Sequence, residues 1–191
     1  MDTKTYDRLR SIADELPIEP PVWAVEIDEE GITMMMSPVK RHELITLRLR
    51  RQLDAQLLTT HPGVVAHSGP EIESPAIQRM RRPDLLVLPE SALDEDDAYV
   101  DPTDVLLVAE IVSRSNPEND YEDKARDYPA MGIPVYVIID PRKGTAAVLT
   151  DPGPGAEGIR YRSRQDYIFG ETMTAGAWSI DTGQFPTYEA P

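Results

Sequence analysis

The 191-residue sequence predicts a mixed-sheet domain of the α/β or α+β class. Three observations carry that reading. Short β-like runs outnumber helical segments, the most apolar runs lie in the middle of the chain, and only two principal helices interrupt the strands. One domain spanning 1–191 is expected, with a short N-terminal arm over 1–21.

Residues 1–21 are polar and end in Pro17, Pro20 and Pro21, which suits a short helix or arm. VWAVEI (22–27) and GITMMM (31–36) flank DEEG, a hairpin turn in which Gly31 supplies positive φ. Met34, Met35 and Met36 are expected to pack inside that hairpin and the core. Ser37 and Pro38 offer an N-cap and a first-turn proline to a helix reaching about Leu58. Ile45, Leu49, Leu53 and Leu57 recur every four residues and define its buried stripe, with Arg41, Arg48 and Arg51 off it.

His61-Pro62-Gly63 breaks the chain, VVAHSGPEI reads as a weak strand, and DLLVL (84–88) is a short apolar run behind Pro83. The acidic stretch 90–104 reads as a loop, and VLLVAEIV (105–112), the most apolar run, as a central strand. Ser115-Asn116-Pro117 opens the second helix, which runs to Tyr128 and is closed by Gly132 and Pro134. Pro129 removes a hydrogen bond there and predicts a kink or an end near Tyr128. VYVIID (135–140) is a buried strand. TAAVLT (145–150), IRYRS and DYIF close the sheet antiparallel, with DPGPG (151–155) as a loop.

Composition removes several function classes. No cysteine is present, which excludes a disulfide scaffold, a cysteine nucleophile and thiolate metal sites. No apolar run approaches the length of a membrane span, and MDTKTYDRLR lacks the apolar region of a secretory signal. A soluble cytoplasmic protein with no membrane partner is the expectation. The net charge of −15 argues against a protein that coats nucleic acid. That charge is uneven: residues 40–82 carry a net +4. Local patches must therefore decide the partner.

Three residues stand out chemically. Glu110 is the only charge in its apolar run, and a carboxylate there is costly unless it is paired or bound to a metal. Asp84 heads another apolar strand beside Arg81 and Arg82; alone it would be an ordinary strand-start acid. Lys124 shares a helix face with Tyr121, Ala125 and Tyr128, pointing toward the strand of Glu110, although an i,i+4 pair with Asp120 would also account for it. Two carboxylates on neighbouring strands suit a hard divalent cation, and with the lysine they make a set for phosphodiester hydrolysis. The three histidines, His42, His61 and His67, lack metal-ligand spacing, and no nucleophile elbow or Gly-rich phosphate loop is present. The run Asp94 to Asp97 lacks the EF-hand order and reads as a solvated loop rather than a Ca²⁺ site. Asp140-Pro141 reads as a strand-end turn.

At these residues the chain resembles a known family. EIVSRSNPENDYEDKARDYPAMGIPVYVIIDP (110–141) is similar to the signature of the Uma-type restriction endonucleases, a branch of the PD-(D/E)XK nuclease superfamily. The matching positions are Glu110, Ser113, Asp120, Lys124, Tyr128, Gly132, Pro134, Tyr136, Asp140 and Pro141, and RRPDLLVL supplies Pro83-Asp84. EIDEEGITMMMSP (26–38) resembles the family's opening hairpin, followed by a helix with an early histidine, here His42. The turn after Glu26 is one residue longer than the usual form. The superfamily usually places the lysine two residues after the glutamate, where this chain has Val112; the Uma-type branch takes it from the following helix.

The resemblance implies a restriction-endonuclease-like fold, a mixed central sheet with flanking helices. It implies Asp84 and Glu110 as ligands of Mg²⁺ or Mn²⁺, Lys124 as the catalytic lysine, and Glu26, Asp120 and Tyr128 as additional site residues. The expected activity is endonucleolytic hydrolysis of nucleic acid, DNA first, with Arg41, Arg48, Arg51, Arg79, Arg81 and Arg82 facing phosphates. Cutting both strands would favour a homodimer. The rival expectations are an inactive module that kept the nuclease fold for binding or regulation, and a nuclease acting on RNA or on single strands, which no base-reading motif in the sequence separates from one acting on duplex DNA.

Overall fold

The computed structural model describes residues 1–94, 96, 99–156 and 158–188. Glu95 and Asp97, both in the acidic run weighed for Ca²⁺, lie outside the described residues, as do Ala98, Glu157 and residues 189–191. The elements in chain order are α1 (Thr3–Glu15), β1 (Val22–Ile27), β2 (Ile32–Met36), α2 (Lys40–Thr60), β3 (Val64–His67), β4 (Glu71–Ser74), β5 (Arg79–Arg81) and β6 (Leu85–Pro89). They continue with β7 (Tyr99–Val100), β8 (Leu107–Ile111), α3 (Lys124–Ala130), β9 (Val135–Asp140), β10 (Thr145–Gly155), β11 (Gly158–Ile168), β12 (Thr172–Ala175) and β13 (Trp178–Asp181).

The central sheet has the order β11-β10-β9-β8-β6-β3. Only β8 and β9 pair in parallel; the other neighbours are antiparallel, so the sheet is mixed. The parallel pair is joined through α3, as a crossover requires. A second sheet, β2-β1-β5-β4-β7, leans over one end, and β12-β13 forms a small hairpin.

Strand alternation sorts the core into two faces. Leu85, Val87, Leu107 and Ala109 point to α2 and meet Ile45, Leu49, Leu53 and Leu57, each at most 1% exposed. The four-residue repeat therefore is the packing stripe. Burial of each such leucine contributes roughly 1.5–3 kcal/mol. Leu86, Leu88, Val108 and Ile138 point the other way, toward α3 and its Tyr128. Asp84 and Glu110 have the parity of this second set.

Four elements depart from expectation. α2 starts at Lys40 with Val39 as an uncapped N-cap. Ser37 instead extends the β1–β2 hairpin, its N–H and hydroxyl both donating to the Pro21 carbonyl. DPGPG is not a loop: it continues β10, paired with β11 from Pro152↔Tyr161 to Gly155↔Gly158. Pairing with β9 ends at Thr150, so the prolines stand where one edge of the strand needs no donor. The acidic stretch holds two 3-10 turns and the short strand β7, which pairs with β4. α3 runs past Pro129 to Ala130 and ends where Gly132 adopts φ +86°. Its N-terminal approach is a π-helical turn, Asn119–Asp123.

Candidate active site

Asp84 and Glu110 sit at neighbouring ends of β6 and β8 and lock the strands reciprocally. The Ile111 N–H donates to Asp84 Oδ2 at 2.7 Å, and the Asp84 N–H points to Glu110 Oε2 at 3.4 Å. His42, from the first turn of α2, reaches Asp84 Oδ2 from the opposite face at 3.1 Å. The two acids lie on the same side of the sheet.

Lys124 arrives from above. Its Nζ is 2.9 Å from Glu110 Oε1, 3.3 Å from Glu26 Oε1 and 3.6 Å from Asp120 Oδ1. It is 1% exposed and points inward. Tyr128, one turn on, donates its hydroxyl to Glu110 Oε1. The π turn explains how Asp120 and Lys124 both face inward while Tyr121 turns aside to Asp140, 2.9 Å away. A π turn takes one more residue than an α turn, a distortion common at functional sites.

Behind Glu26 lies a second ion cluster. Arg81 bonds Glu26 Oε2 at 3.0 Å and Asp127 Oδ2 at 2.6 Å, and Arg79 reaches Asp127 Oδ1 at 3.1 Å. The expectation that Arg81 faces phosphate is corrected here. It is fully buried, because β5 is inside the second sheet and its guanidinium offsets two buried carboxylates. Arg79, also buried, fails the same expectation. Arg41 and Arg48 donate to the carbonyls of Thr187 and Gln184. Arg51 is exposed on α2, and Arg82 is half-buried with its guanidinium 4.6 Å from the centre of the Trp23 ring.

The charges are unbalanced. Glu26, Asp84, Glu110 and Asp120 surround one Lys124, while Arg81 is shared with Asp127. Burial pushes the Glu110 carboxyl well above its ordinary range; Lys124 opposes this, and the charges of Asp84, Asp120 and Glu26 add to it. Burial likewise pushes Asp120 up to about 7 against the pull of Lys124. Asp84 is buried too, but the hydrogen bond and charge of His42 outweigh burial and hold it below the usual range. Glu26 ends low because Lys124 and Arg81 outweigh its burial. Burial would lower His42, yet its bond to Asp84 leaves it raised. Lys124 is raised: its carboxylate neighbours overcome the burial that would discharge it, so it is a fixed ammonium at any physiological pH.

Among the described residues no three acid or imidazole groups converge as a ready metal cage. Asp84 and Glu110 offer two hard oxygen donors at the foot of a cleft of about 280 Å³. Two carboxylates with the remaining positions left to water and substrate suit Mg²⁺, and the surplus negative charge suits any divalent cation.

Four contributors escaped sequence reading. His42 entered only as a motif position and not as the partner of Asp84. Asp127 was missed, although Asp120, Lys124 and Asp127 follow steps of four and three, a helical stripe. Met34 and Met36, expected in the core, are 58% and 60% exposed and line the cleft.

A mixed α/β core carrying buried carboxylates and a lysine in one cleft is nuclease-like in class. The chain belongs to the Uma2 family, whose model carries the description "Putative restriction endonuclease" and matches residues 5–183. A crystal structure described as that of "a putative nuclease belonging to DUF820" from Anabaena variabilis is similar in fold, with a TM-score of 0.68 at 15% identity, covering 93% of this chain and 96% of that one. No curated protein matches the chain. No helix among the described residues is long and apolar enough to cross a membrane.

Proposed function

We propose that this protein is a metal-dependent endonuclease that hydrolyses phosphodiester bonds in DNA. The observation that carries the reading is the meeting of Asp84, Glu110 and Lys124, far apart in sequence, at one cleft. Asp84 and Glu110 would hold Mg²⁺ or Mn²⁺, which lowers the pKa of an attacking water and offsets charge on the phosphoryl oxygens.

The chain's own groups have separable tasks. Lys124 presents a permanent ammonium to a phosphoryl oxygen, preorganised by three carboxylates and dry surroundings. His42 and the Ile111 N–H fix the orientation of Asp84, and Tyr128 fixes Glu110. Asp120, held near 7, is suited to take up a proton at neutral pH. Arg51 remains as a phosphate contact on the approaching strand, and Arg82 would join it by exchanging its 3.6 Å pair with Glu71 for a phosphate. One site cuts one strand, so cleavage of both strands calls for a two-fold dimer.

Plasmid nicking with Mg²⁺ or Mn²⁺ tests the proposal. Glu110→Gln and Lys124→Met should each lose activity by about 10²–10³-fold, the scale of removing one preorganised charge-stabilising group. Equal activity in wild type and Glu110→Gln would remove the mechanism. A binding module that only kept the fold would nick nothing, and calorimetry would find no Mn²⁺ site dependent on Asp84 and Glu110.

A further inference from the structure

The cleft above Glu110 has walls unlike those of a phosphate-reading surface. One side is the β1–β2 hairpin, with Trp23, Met34 and Met36; Val39 continues it, and Tyr188 stands across. Met34, Met36 and Val39 are 58%, 60% and 59% exposed, a contiguous apolar rim beside a charged floor. Two of the aromatic rings already carry a cation: Arg82 lies 4.6 Å from the Trp23 ring centre and Arg114 lies 5.1 Å from that of Tyr188. Arg82 Nε and His42 Nδ1, both in cleft residues, are buried with no hydrogen-bond partner.

We propose that this cleft seats an unpaired nucleotide, so that the substrate is a single strand or a locally unpaired stretch rather than an intact duplex. The inference deepens the nuclease reading and rests on it for the position of the scissile phosphate. A duplex shows a binding surface chiefly its phosphates, and affinity for it comes from displaced counterions. Two of the cations expected for that purpose are offset by buried carboxylates, and two more are still charged but tied to the protein's own backbone. Arg79 and Arg81 are buried in ion pairs, Arg41 and Arg48 are bonded to backbone carbonyls, and the chain carries a net −15.

An unpaired base offers a π face, which thioethers, aromatic rings and arginine planes can cover. The floor makes the same demand. Glu110 is 2% and Lys124 1% exposed, so a phosphate must enter the cleft to reach them, and a nucleotide leaves the stack to do so. At about 280 Å³ the cleft is near the lower end for small-molecule sites, about 300 Å³, room for one nucleotide unit and not for a double helix.

Fluorescence anisotropy tests this with the full chain, Ca²⁺ replacing Mg²⁺, and three labelled DNA probes of one sequence: single strand, duplex, and duplex with an unpaired bulge. The single strand and the bulge should bind at least about tenfold more tightly than the duplex at equal salt. Met34→Ser/Met36→Ser, both at exposed positions, should weaken single-strand binding by about fivefold or more, the low end of stacking on one base, and leave duplex binding unchanged. Duplex binding equal to or tighter than single-strand binding overturns the proposal, as does a double variant with unaltered single-strand affinity. A single-strand preference without any nicking would sink the nuclease mechanism and keep the cleft assignment. Plasmid nicking without that preference would do the reverse.

Discussion

On one face of the six-stranded sheet, α2 lays Ile45, Leu49, Leu53 and Leu57 against hydrocarbon alone. On the other, the π turn lays Asp120, and α3 lays Lys124 and Asp127, over a floor that includes Glu110. Both faces are closed to solvent, yet only the first is what folding alone would select. The apolar face gains roughly its buried area in stability. The charged face must offset the desolvation of every ion with partners, and replacing such groups by apolar ones is often neutral or stabilising. The proposed catalysis supplies a reason to keep the second arrangement despite that cost.

Breaking each face separates these roles. Arg81→Met should be the most damaging stability change, about 3–5 kcal/mol, because it leaves Glu26 and Asp127 without their shared cation. Urea melts should find the loss shrinking as pH falls and Glu26 and Asp127, left with only Lys124 and Arg79, protonate. Leu49→Ala on the apolar face should cost about 2–5 kcal/mol through the cavity it leaves, with the same value at every pH. If both losses varied with pH alike, the chemical contrast between the faces would be false.

The apolar face was the more legible of the two. A stripe at every fourth residue has one physical meaning, and α2 packs as read. The hairpin, the central strands and the α3 crossover followed from run length and turn residues. The charged face was legible in part: Glu110, Asp84 and Lys124 stand out because a lone charge in an apolar run is expensive. Its second layer was not. Whether Arg81 meets phosphate or Glu26 depends on which sheet covers β5, a long-range pairing that no local pattern encodes. Met34 and Met36 misled for a similar reason, since β2 turned out to be an edge strand and thioether side chains suit either environment. Ser37 lost its cap because the hairpin claimed its hydrogen bonds first.

Two smaller effects sharpen the contrast. Glu110→Gln removes a carboxylate that burial and three acidic neighbours disfavour. It should raise the melting temperature at pH 8 while cutting nicking by about 10²–10³-fold, the trade expected of a functional site. Unchanged or lower stability would mean that Lys124 and Tyr128 fully offset the charge.

The last effect is a slope. The Asp120 carboxyl is pushed up from its ordinary 3.8 to about 7 by burial, with the charge of Asp84 adding to it. Between those values the folded state holds a proton that the unfolded state has released. Stability from this group is therefore complete below about 4 and falls as pH rises toward 7, by at most about 1.4 kcal/mol per pH unit. Glu110 is raised as well and tilts the curve the same way, whereas the lowered Asp84 and Glu26 act below the ordinary carboxylate range. Melting temperatures should thus fall from pH 5 to pH 8 in the protein without added metal. Asp120→Asn should flatten that decline measurably, because its amide has no proton to release. A decline of the same steepness in the variant would place the titration on Glu110 or His42 and leave Asp120 a plain partner of Lys124.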